Sequence, residues 1–516
     1  MNPAWPYGLG LVNMVVFGLV AGIVTIIARG LYNAFLHPLR KYPGPFLHRM
    51  TTLPRAIHLI RGRLPFEVKS LHDRYGPVVR IAPDELAFSS PQAWRDIYGH
   101  KAGQEEFPKY AGVYRAFKHM PVSIVTSDAT EHGLLRRLLA VGFSDRAMRE
   151  QEPIICSYVN LLVSRLKDAA QTLWLLLISS KRGGCQDMTE WYTRTTFDII
   201  GDLTFGAEGF GCLKNARSHP WVRLITTAIR QQAVVLALIS LGLRGPIAWV
   251  HKTLGVFADN DHNRIVKEKV AQRIKDGERS DLLDGLIRNK ELSLEKLTSN
   301  AAVLIPAGSE TTATLLSGVT YFLTTHVDML RRLENEVRSA FQSDEEITFA
   351  SVTNLSFMLA CLNETMRFYP PLVTGLPRQT HKDAIISGEF VPRGVSSPPF
   401  LSTLTVFPAW RNWEKYAINH DERYWKNPEE FAPTRWMGDP EYKNDQLDAM
   451  QPFSAGPRNC IGRNLAYAEA RLVLAKIVYN FDMTLADDSR GWLNDQKAFT
   501  VWDKPPLNIH LSPTKP

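Results

Sequence analysis

The sequence predicts a mainly α-helical protein with a few short strands, preceded by one helix that crosses a membrane. Long runs with the apolar spacing of helices dominate the chain, among them Ser299–His326 and Leu465–Val478. Strand-like stretches are short, as in Val78–Pro83 and Glu85–Phe88, which a turn at Pro83 and Asp84 joins. The run Tyr7–Ala28 has no charged side chain. It is long enough to cross a bilayer as a helix, since about 20 apolar residues suffice.

The N-terminal region predicts a membrane anchor followed by a hinge. The basic residues Arg29, Arg40 and Lys41 follow the apolar run rather than precede it. By the positive-inside rule, the body of the protein then faces the cytosol. A buried helix of a soluble protein is the alternative. Residues 37–45 contain three prolines and a glycine, which predicts a stiff, extended spacer.

Composition sets broad limits on function. The 516 residues are 45% hydrophobic and 22% charged, as expected of a globular protein with a large core. The formal charge of +8 favours acidic partners or anionic lipid, but no nucleic-acid-binding module is apparent. Five cysteines without paired spacing argue against a zinc site and a disulfide scaffold. A reducing, cytosolic setting fits this pattern.

One cysteine lies where a helix is predicted to begin. Cys460 lies near the end of the stretch 453–462, just before the helical run Leu465–Val478. The positive end of a helix dipole favours the ionised, metal-binding form of sulfur. Gly456 and Gly462 allow the backbone to approach a flat cofactor closely. The alternative is that Cys460 is a small buried apolar residue, the commoner fate of a free cysteine.

Two other side chains of this loop suit the same role. Phe453 can shield the sulfur from water, and Arg458 offers a fork of donors to a carboxylate. The spacing Phe-x-x-Gly-x-Arg-x-Cys-x-Gly resembles the haem-ligand loop of the cytochrome P450 family. The resemblance implies haem b with Cys460 as its axial thiolate, a ligand that favours O–O cleavage. It also implies the mainly helical P450 fold with a small β-rich lobe, with residues 46–516 as the haem-thiolate catalytic domain.

The resemblance further implies donors to the haem propionates. His132 and Arg136 are four residues apart and share a helix face. Many members of the family carry Trp-x-x-x-Arg here, so His132 stands in the tryptophan position. Arg378 and Arg458 are the other expected donors. The alternatives are a solvated basic helix face for the first pair and a plain surface arginine for Arg378.

The run Ser299–His326 contains a second motif. Pro306 lacks an N–H and Gly308 follows it, which predicts a local opening of the helix. Glu310 and Thr311 match the acid–alcohol pair of P450 monooxygenases and are expected to relay protons for O–O cleavage. The alternative is a threonine that bonds to a carbonyl of its own helix.

A structural triad is expected behind residues 453–462, the loop that carries Cys460 and is called the cysteine loop below. Glu364 and Arg367 are three residues apart on a helix that ends at a double proline. In the family this Glu-x-x-Arg pair is joined by a later arginine, here Arg435. A buried, bidentate network of this kind stabilises the fold and takes no part in the chemistry.

Two segments interrupt the resemblance. Residues 172–182 and 395–413 carry mixed sequence without a clear period, in places where the family has shorter connections. The hypothesis is that both are extra segments, either true insertions or retained introns.

The implied activity is insertion of one atom of O2 into an apolar small molecule, with electrons from NADPH through a separate NADPH–cytochrome P450 reductase and a possible contribution from cytochrome b5. The sequence is similar to membrane-bound fungal secondary-metabolism hydroxylases, including those that act on sesquiterpenoids such as trichothecenes. A terpenoid or polyketide substrate and a single-pass location in the endoplasmic reticulum membrane follow from that similarity. Segments 101–127, 217–250 and 499–501 are expected to face the substrate. The alternatives are a haem-thiolate isomerase or dehydratase that needs no external electrons, and a non-catalytic haem-binding membrane protein.

Overall fold

Helices make up most of the chain. The computed structural model describes residues 6–100, 103, 105–114, 122–176, 185–206, 209–254, 261–393 and 410–514. Its α-helices are α1 Pro6–Phe35, α2 Phe46–Met50, α3 Leu53–Ile60, α4 Leu64–Tyr75, α5 Pro91–Tyr98, α6 Ala111–Tyr114, α7 Ala129–Ala140, α8 Asp145–Leu176, α9 Met188–Phe205, α10 Pro220–Ser240, α11 Arg244–Leu254, α12 Asp261–Lys275, α13 Asp284–Arg288, α14 Leu294–Thr325, α15 Val327–Ala340, α16 Ser356–Phe368, α17 Lys415–Asn419 and α18 Arg463–Asn480.

The strands form small sheets at the edges of the helical body. They are β1 Val78–Ala82, β2 Glu85–Phe88, β3 Cys185–Asp187, β4 Arg378–Gln379, β5 Ala384–Ile386, β6 Glu389–Val391, β7 Trp410–Trp413, β8 Phe481–Leu485, β9 Lys497–Ala498, β10 Trp502–Asp503 and β11 Asn508–Pro513. The largest sheet has the order β1-β2-β7-β4, with β2 and β7 parallel and the other pairs antiparallel. A second sheet has the order β3-β11-β8. The predicted mainly helical fold with small sheets is confirmed.

The core centres on α14, which packs along α9 and also contacts α12, α16 and α18. Gly308 shows how closely α14 and α9 approach, because a Cβ at this position would lie 2.6 Å from Cδ1 of Ile200. The predicted opening of the helix at Pro306 is wrong, since α14 is helical from Leu294 to Thr325. A proline removes one backbone hydrogen bond, and the close packing on α9 holds the helix together across that gap.

The N-terminal helix α1 is exposed along nearly its whole length. Its segment Val12–Phe35 has a mean hydropathy of 2.2 with only 6% of the most apolar window buried, so it is a candidate membrane span. The helix continues beyond the predicted end at residue 28. The proline-rich stretch after it is packed rather than free: Leu39 and Tyr42 are buried, and Pro43 O accepts the N–H of Arg80 at 2.7 Å.

The structure describes part of each segment that interrupts the family resemblance. In the segment 395–413, Trp410–Trp413 forms β7 in the largest sheet, so this part belongs to the fold rather than being extra; residues 394–409 lie outside the described residues. Residues 172–176 continue α8, residues 177–184 are not described, and the hypothesis that 172–182 is an extra segment stays a prediction.

Candidate active site

The cysteine loop is folded back on itself just before α18. The backbone N–H of Cys460 donates to Phe453 O at 2.7 Å. Gly456 has φ +69°, and a Cβ there would lie 1.9 Å from the carbonyl oxygen of Tyr98. Glycine is therefore required at 456 by its backbone conformation and by the end of α5.

Gly462 and Phe453, two other residues of the cysteine loop, make ordinary packing contacts. Gly462 is the N-cap of α18 with φ −87°, and a Cβ there would make only an ordinary contact with Phe143. Phe453 packs against Tyr467 with ring centroids 5.1 Å apart. This contact fixes the aromatic ring beside the loop, where it can exclude water from the sulfur.

Cys460 is an exposed residue, although protein atoms crowd around its thiol. Burial raises the pKa of Cys460, and this outweighs the opposing effects of the Gly462 N–H, Lys415 and Arg136. Lys415 was not predicted. Its buried Nζ donates to Pro452 O at 3.0 Å, and burial lowers the pKa of Lys415 to about 8 while Cys460 acts in the opposite direction.

Two of the predicted propionate donors, Arg458 and Arg136, form hydrogen bonds with other groups of the protein. Arg458 makes a bidentate ion pair with Glu106, with Nε–Oε distances of 2.9 Å, and donates to Ser127 O at 3.1 Å. Arg136 donates to Asn459 O at 2.6 Å and to the side-chain oxygen of the same residue. Both arginines thus brace the cysteine loop in addition to contributing positive charge.

Arg378 and its neighbours form a buried cationic cluster. Lys109 lies opposite Arg378 in a β-bridge and donates to Ile124 O at 3.2 Å. Burial and the nearby Arg458 and Arg378 lower the pKa of Lys109 to about 6. Arg378 Nη1 is buried and makes no hydrogen bond to the described residues. The buried Tyr114 hydroxyl lies beside the Arg378 guanidinium, which opposes the rise that burial causes in the pKa of Tyr114.

His132 lies on α7 at the edge of this cluster. It is buried, and desolvation followed by the charges of Arg458, Lys109 and Arg136 lowers its pKa to about 4. The ring is therefore neutral at neutral pH and can donate one N–H without adding charge. A cavity of about 560 Å³ opens here, lined in part by His132 and Glu106.

The acid and the alcohol of the predicted relay lie on neighbouring faces of α14. Thr311 Oγ1 donates to Ala307 O at 2.7 Å, which is the bond that the alternative interpretation expected. Glu310 is buried and pairs with Lys504, with 3.0 Å between Oε2 and Nζ. Lys504 also donates to Thr314 Oγ1 at 3.0 Å. The structure therefore joins Glu310 to a lysine that the sequence did not identify.

Comparison with known proteins decides the family. The Cytochrome P450 family matches residues 43–511. This chain belongs to the cytochrome P450 family. The P450 is similar to the cytochrome P450 monooxygenase tpeC of Talaromyces stipitatus, with 45% identity over 96% of this chain and 94% of that protein. It is also similar to the trichothecene C-15 hydroxylase of Fusarium sporotrichioides, with 39% identity over 95% of this chain and 96% of that protein. The averantin hydroxylase of Dothistroma septosporum is 37% identical over 96% of this chain and 91% of that protein.

The P450 is an oxidoreductase that incorporates oxygen, and its cofactor is haem b with a cysteine thiolate as axial ligand. The cationic cluster fits this cofactor. Arg378 Nη1 is a buried donor without an acceptor among the described residues, and a propionate carboxylate would supply one. Arg378 and Arg458 both lower the pKa of the Glu106 carboxylate, so these two guanidinium groups carry one positive charge more than Glu106 balances. A propionate carboxylate would balance that charge.

The structural triad of this P450 is fully buried. Arg367 binds Glu364 through two contacts, at 3.0 Å and 2.8 Å, and Arg435 Nε donates to Glu364 Oε1 at 3.0 Å. Burial alone would raise the pKa of Glu364, but the two arginines outweigh it and lower that pKa. The network extends beyond the predicted triad, because Asp445 pairs with Arg435 and Trp436 Nε1 donates to Glu364 Oε2 at 2.8 Å.

Proposed function

We propose that this P450 is a membrane-anchored monooxygenase that inserts one atom of O2 into an apolar terpenoid or polyketide of fungal secondary metabolism. Electrons come from NADPH through a separate reductase, with cytochrome b5 as an additional donor. Single-pass insertion in the endoplasmic reticulum places the catalytic domain, residues 46–516, in the cytosol. The names of the relatives support a hydroxylation, and two of them are named for a trichothecene and for averantin.

The observation that carries the proposal is the buried cationic cluster beside the exposed Cys460. Arg378 Nη1 is a buried donor with no hydrogen-bond partner in the part of the chain that the structure describes, which is costly unless a carboxylate accepts from it. Cys460 precedes α18, where the N–H groups of the helix start favour its thiolate. Together these groups would hold haem b by its iron and by its propionates.

Bound haem b supplies the activation of dioxygen at its iron. The residues of this chain prepare the surroundings of that chemistry. Phe453 and Tyr467 exclude water from the Cys460 side. On the other side, the Thr311 hydroxyl holds a proton that Glu310 replenishes, which is the role of a general acid in a relay. His132 donates an uncharged N–H beside the propionate cluster.

The electron donor would bind on the face behind Cys460. Arg137 on α7 and Arg463 at the start of α18 are exposed; Arg137 lines a cavity together with Pro457 of the cysteine loop, and Arg463 lies over the ring of Phe453. The chain carries a formal charge of +8, which suits an acidic flavoprotein. The exposed α1 supports the membrane location, because it keeps the catalytic domain close to a reductase in the same membrane.

The test is expression with a fungal NADPH reductase in a host without competing P450s, followed by a carbon monoxide difference spectrum and product analysis against a panel of terpenoids and polyketides. The proposal predicts NADPH-dependent products that have gained one oxygen atom. Turnover without NADPH would instead support the isomerase or dehydratase alternative. Absence of substrate-dependent NADPH consumption across the panel would contradict the proposed substrate class.

A further inference from the structure

Lys504, near the C-terminus, forms a buried ion pair with the acid of the proposed relay. Its Nζ lies 3.0 Å from Glu310 Oε2, and the two side chains are only 5% and 6% exposed. We infer that Lys504 is a positioning residue that holds Glu310 ionised and on one side of α14. The inference rests on the proposed function, because it assigns Lys504 a part in supplying protons through Glu310.

The arrangement on α14 explains why position matters. Glu310 and Thr314 are one helical turn apart, and Lys504 donates to both, so the ammonium group bridges one face of the helix. Ala307 and Thr311 form the neighbouring face, where Thr311 donates to Ala307 O. As a carboxylate, Glu310 first accepts a proton from solvent water and then passes it to Thr311, through a bridging water or after rotation of its side chain. The contact with Lys504 fixes the position of the Glu310 carboxylate before that transfer.

The charge of Glu310 also depends on Lys504. Within the described residues, no other cation forms an ion pair with Glu310. The nearby Tyr369 hydroxyl donates to Gln496 Oε1 at 2.6 Å, and burial together with the Glu310 carboxylate raises the pKa of Tyr369. Removing one partner of a buried ion pair leaves an uncompensated charge, which is strongly unfavourable. Without Lys504, Glu310 is expected to take up a proton.

The segment that carries Lys504 is itself held in place. Trp502 is buried, and its Nε1 donates to Pro370 O at 2.9 Å. Asp503 forms an ion pair with Arg230 on α10. These contacts fix the end of β10 between α10 and the core. Lys504 therefore enters the interior from a rigid support, as expected of a residue that positions another group.

Infrared spectroscopy of the resting, haem-loaded full chain in lipid nanodiscs tests the ionisation of Glu310 directly. We expect Lys504→Met to produce a protonated-carboxyl C=O band that shifts in D2O and that the double variant Glu310→Gln/Lys504→Met lacks. Lys504→Arg keeps the charge and should show no band beyond those of the wild type, such as that of the buried Glu469, and neither should the exposed control Lys497→Met. Lys504→Gln is prepared alongside, so that whichever neutral variant retains haem decides the outcome. Absence of the band in that variant would overturn the inference.

NADPH oxidation with a purified fungal reductase and no added substrate tests proton supply. We expect Lys504→Met to slow oxidation at least about threefold and to raise its solvent isotope effect, a modest part of what general acid catalysis contributes. Glu310→Gln and the double variant should be equally slow, while Lys504→Arg stays within about twofold of the wild type. A rate for Lys504→Met equal to that of the wild type, or a fully additive loss in the double variant, would contradict the inference. A wild-type chain that oxidises no NADPH even with the panel of terpenoids and polyketides would contradict the proposed function, whereas the infrared measurement uses no reductase and still decides the role of Lys504.

Discussion

Arg435 donates from Nε to Glu364 Oε1 at 3.0 Å, although 71 residues separate the two in the sequence. Both side chains are fully buried, so the pair fixes α16 to the segment that leads toward the cysteine loop. A buried carboxylate shared by two arginines tolerates the loss of neither partner well.

Arg367→Ala is expected to abolish haem incorporation, because it leaves Glu364 with one of its two guanidinium partners. Breaking a buried pair of this kind costs about 3–5 kcal/mol of unfolding free energy. Haem content of the purified protein is the measurement. Arg146→Ala is the matched control, since the Arg146 side chain is 86% exposed. Normal haem content in Arg367→Ala would refute the structural role.

Arg378→Gln is expected to accelerate haem loss about tenfold or more, since a hydrogen bond to a charged group contributes about 1.5–3 kcal/mol. The measurement is the rate of haem transfer to excess apomyoglobin. Lys382→Gln serves as the control because Lys382 is exposed and only four residues away. Equal rates for Arg378→Gln and wild type would remove Arg378 from the propionate site.

The buried Glu469 should make the free energy of unfolding depend on pH. It is buried, its Oε1 has no hydrogen-bond partner among the described residues, and burial raises its pKa to about 8. The folded state thus binds a proton that the unfolded state releases above about pH 4.5. The contribution of Glu469 to stability is complete below that pH and is lost as the pH rises toward 8. Glu469→Gln should remove this loss, on the order of 3 kcal/mol, in denaturant unfolding at pH 5 and pH 8. An equal change in unfolding free energy between pH 5 and pH 8 for the variant and the wild type would contradict this role of Glu469.

Deletion of residues 2–28 is expected to convert an integral membrane protein into one that alkaline carbonate extracts from membranes. The reason is that α1 contributes an exposed apolar span, whereas α10, the other candidate span, buries Trp221, Ile225 and Ala237 in the protein. Membrane fractionation of the two forms is the measurement. Retention of the shortened form after carbonate treatment would show that α1 is not the anchor.

The sequence alone predicted the elements that have a period or a fixed spacing. Capping residues mark both ends of α9, which begins after Asp187 and ends before Gly206. The strands β1 and β2 pair as expected around the turn at Pro83 and Asp84. The family motif likewise identified Cys460 and the Glu364 triad by spacing.

The remaining site residues have no such signal. Lys109, Lys415 and Lys504 are single basic residues in irregular or short segments, and only the tertiary fold brings them to Arg378, to the cysteine loop and to Glu310. Their burial cannot be read from a sequence in which most lysines are exposed. The expected opening at Pro306 failed for a related reason: the packing of Gly308 on Ile200 belongs to two helices far apart in the chain.

The most direct test is Cys460→Ser, because the account depends on the sulfur at this position as the ligand of haem iron. We expect the variant to lose the carbon monoxide difference band that is characteristic of thiolate-ligated haem, while the control Cys185→Ser, at another exposed cysteine, keeps it. A correctly folded Cys460→Ser protein with the same carbon monoxide spectrum as the wild type would contradict the account.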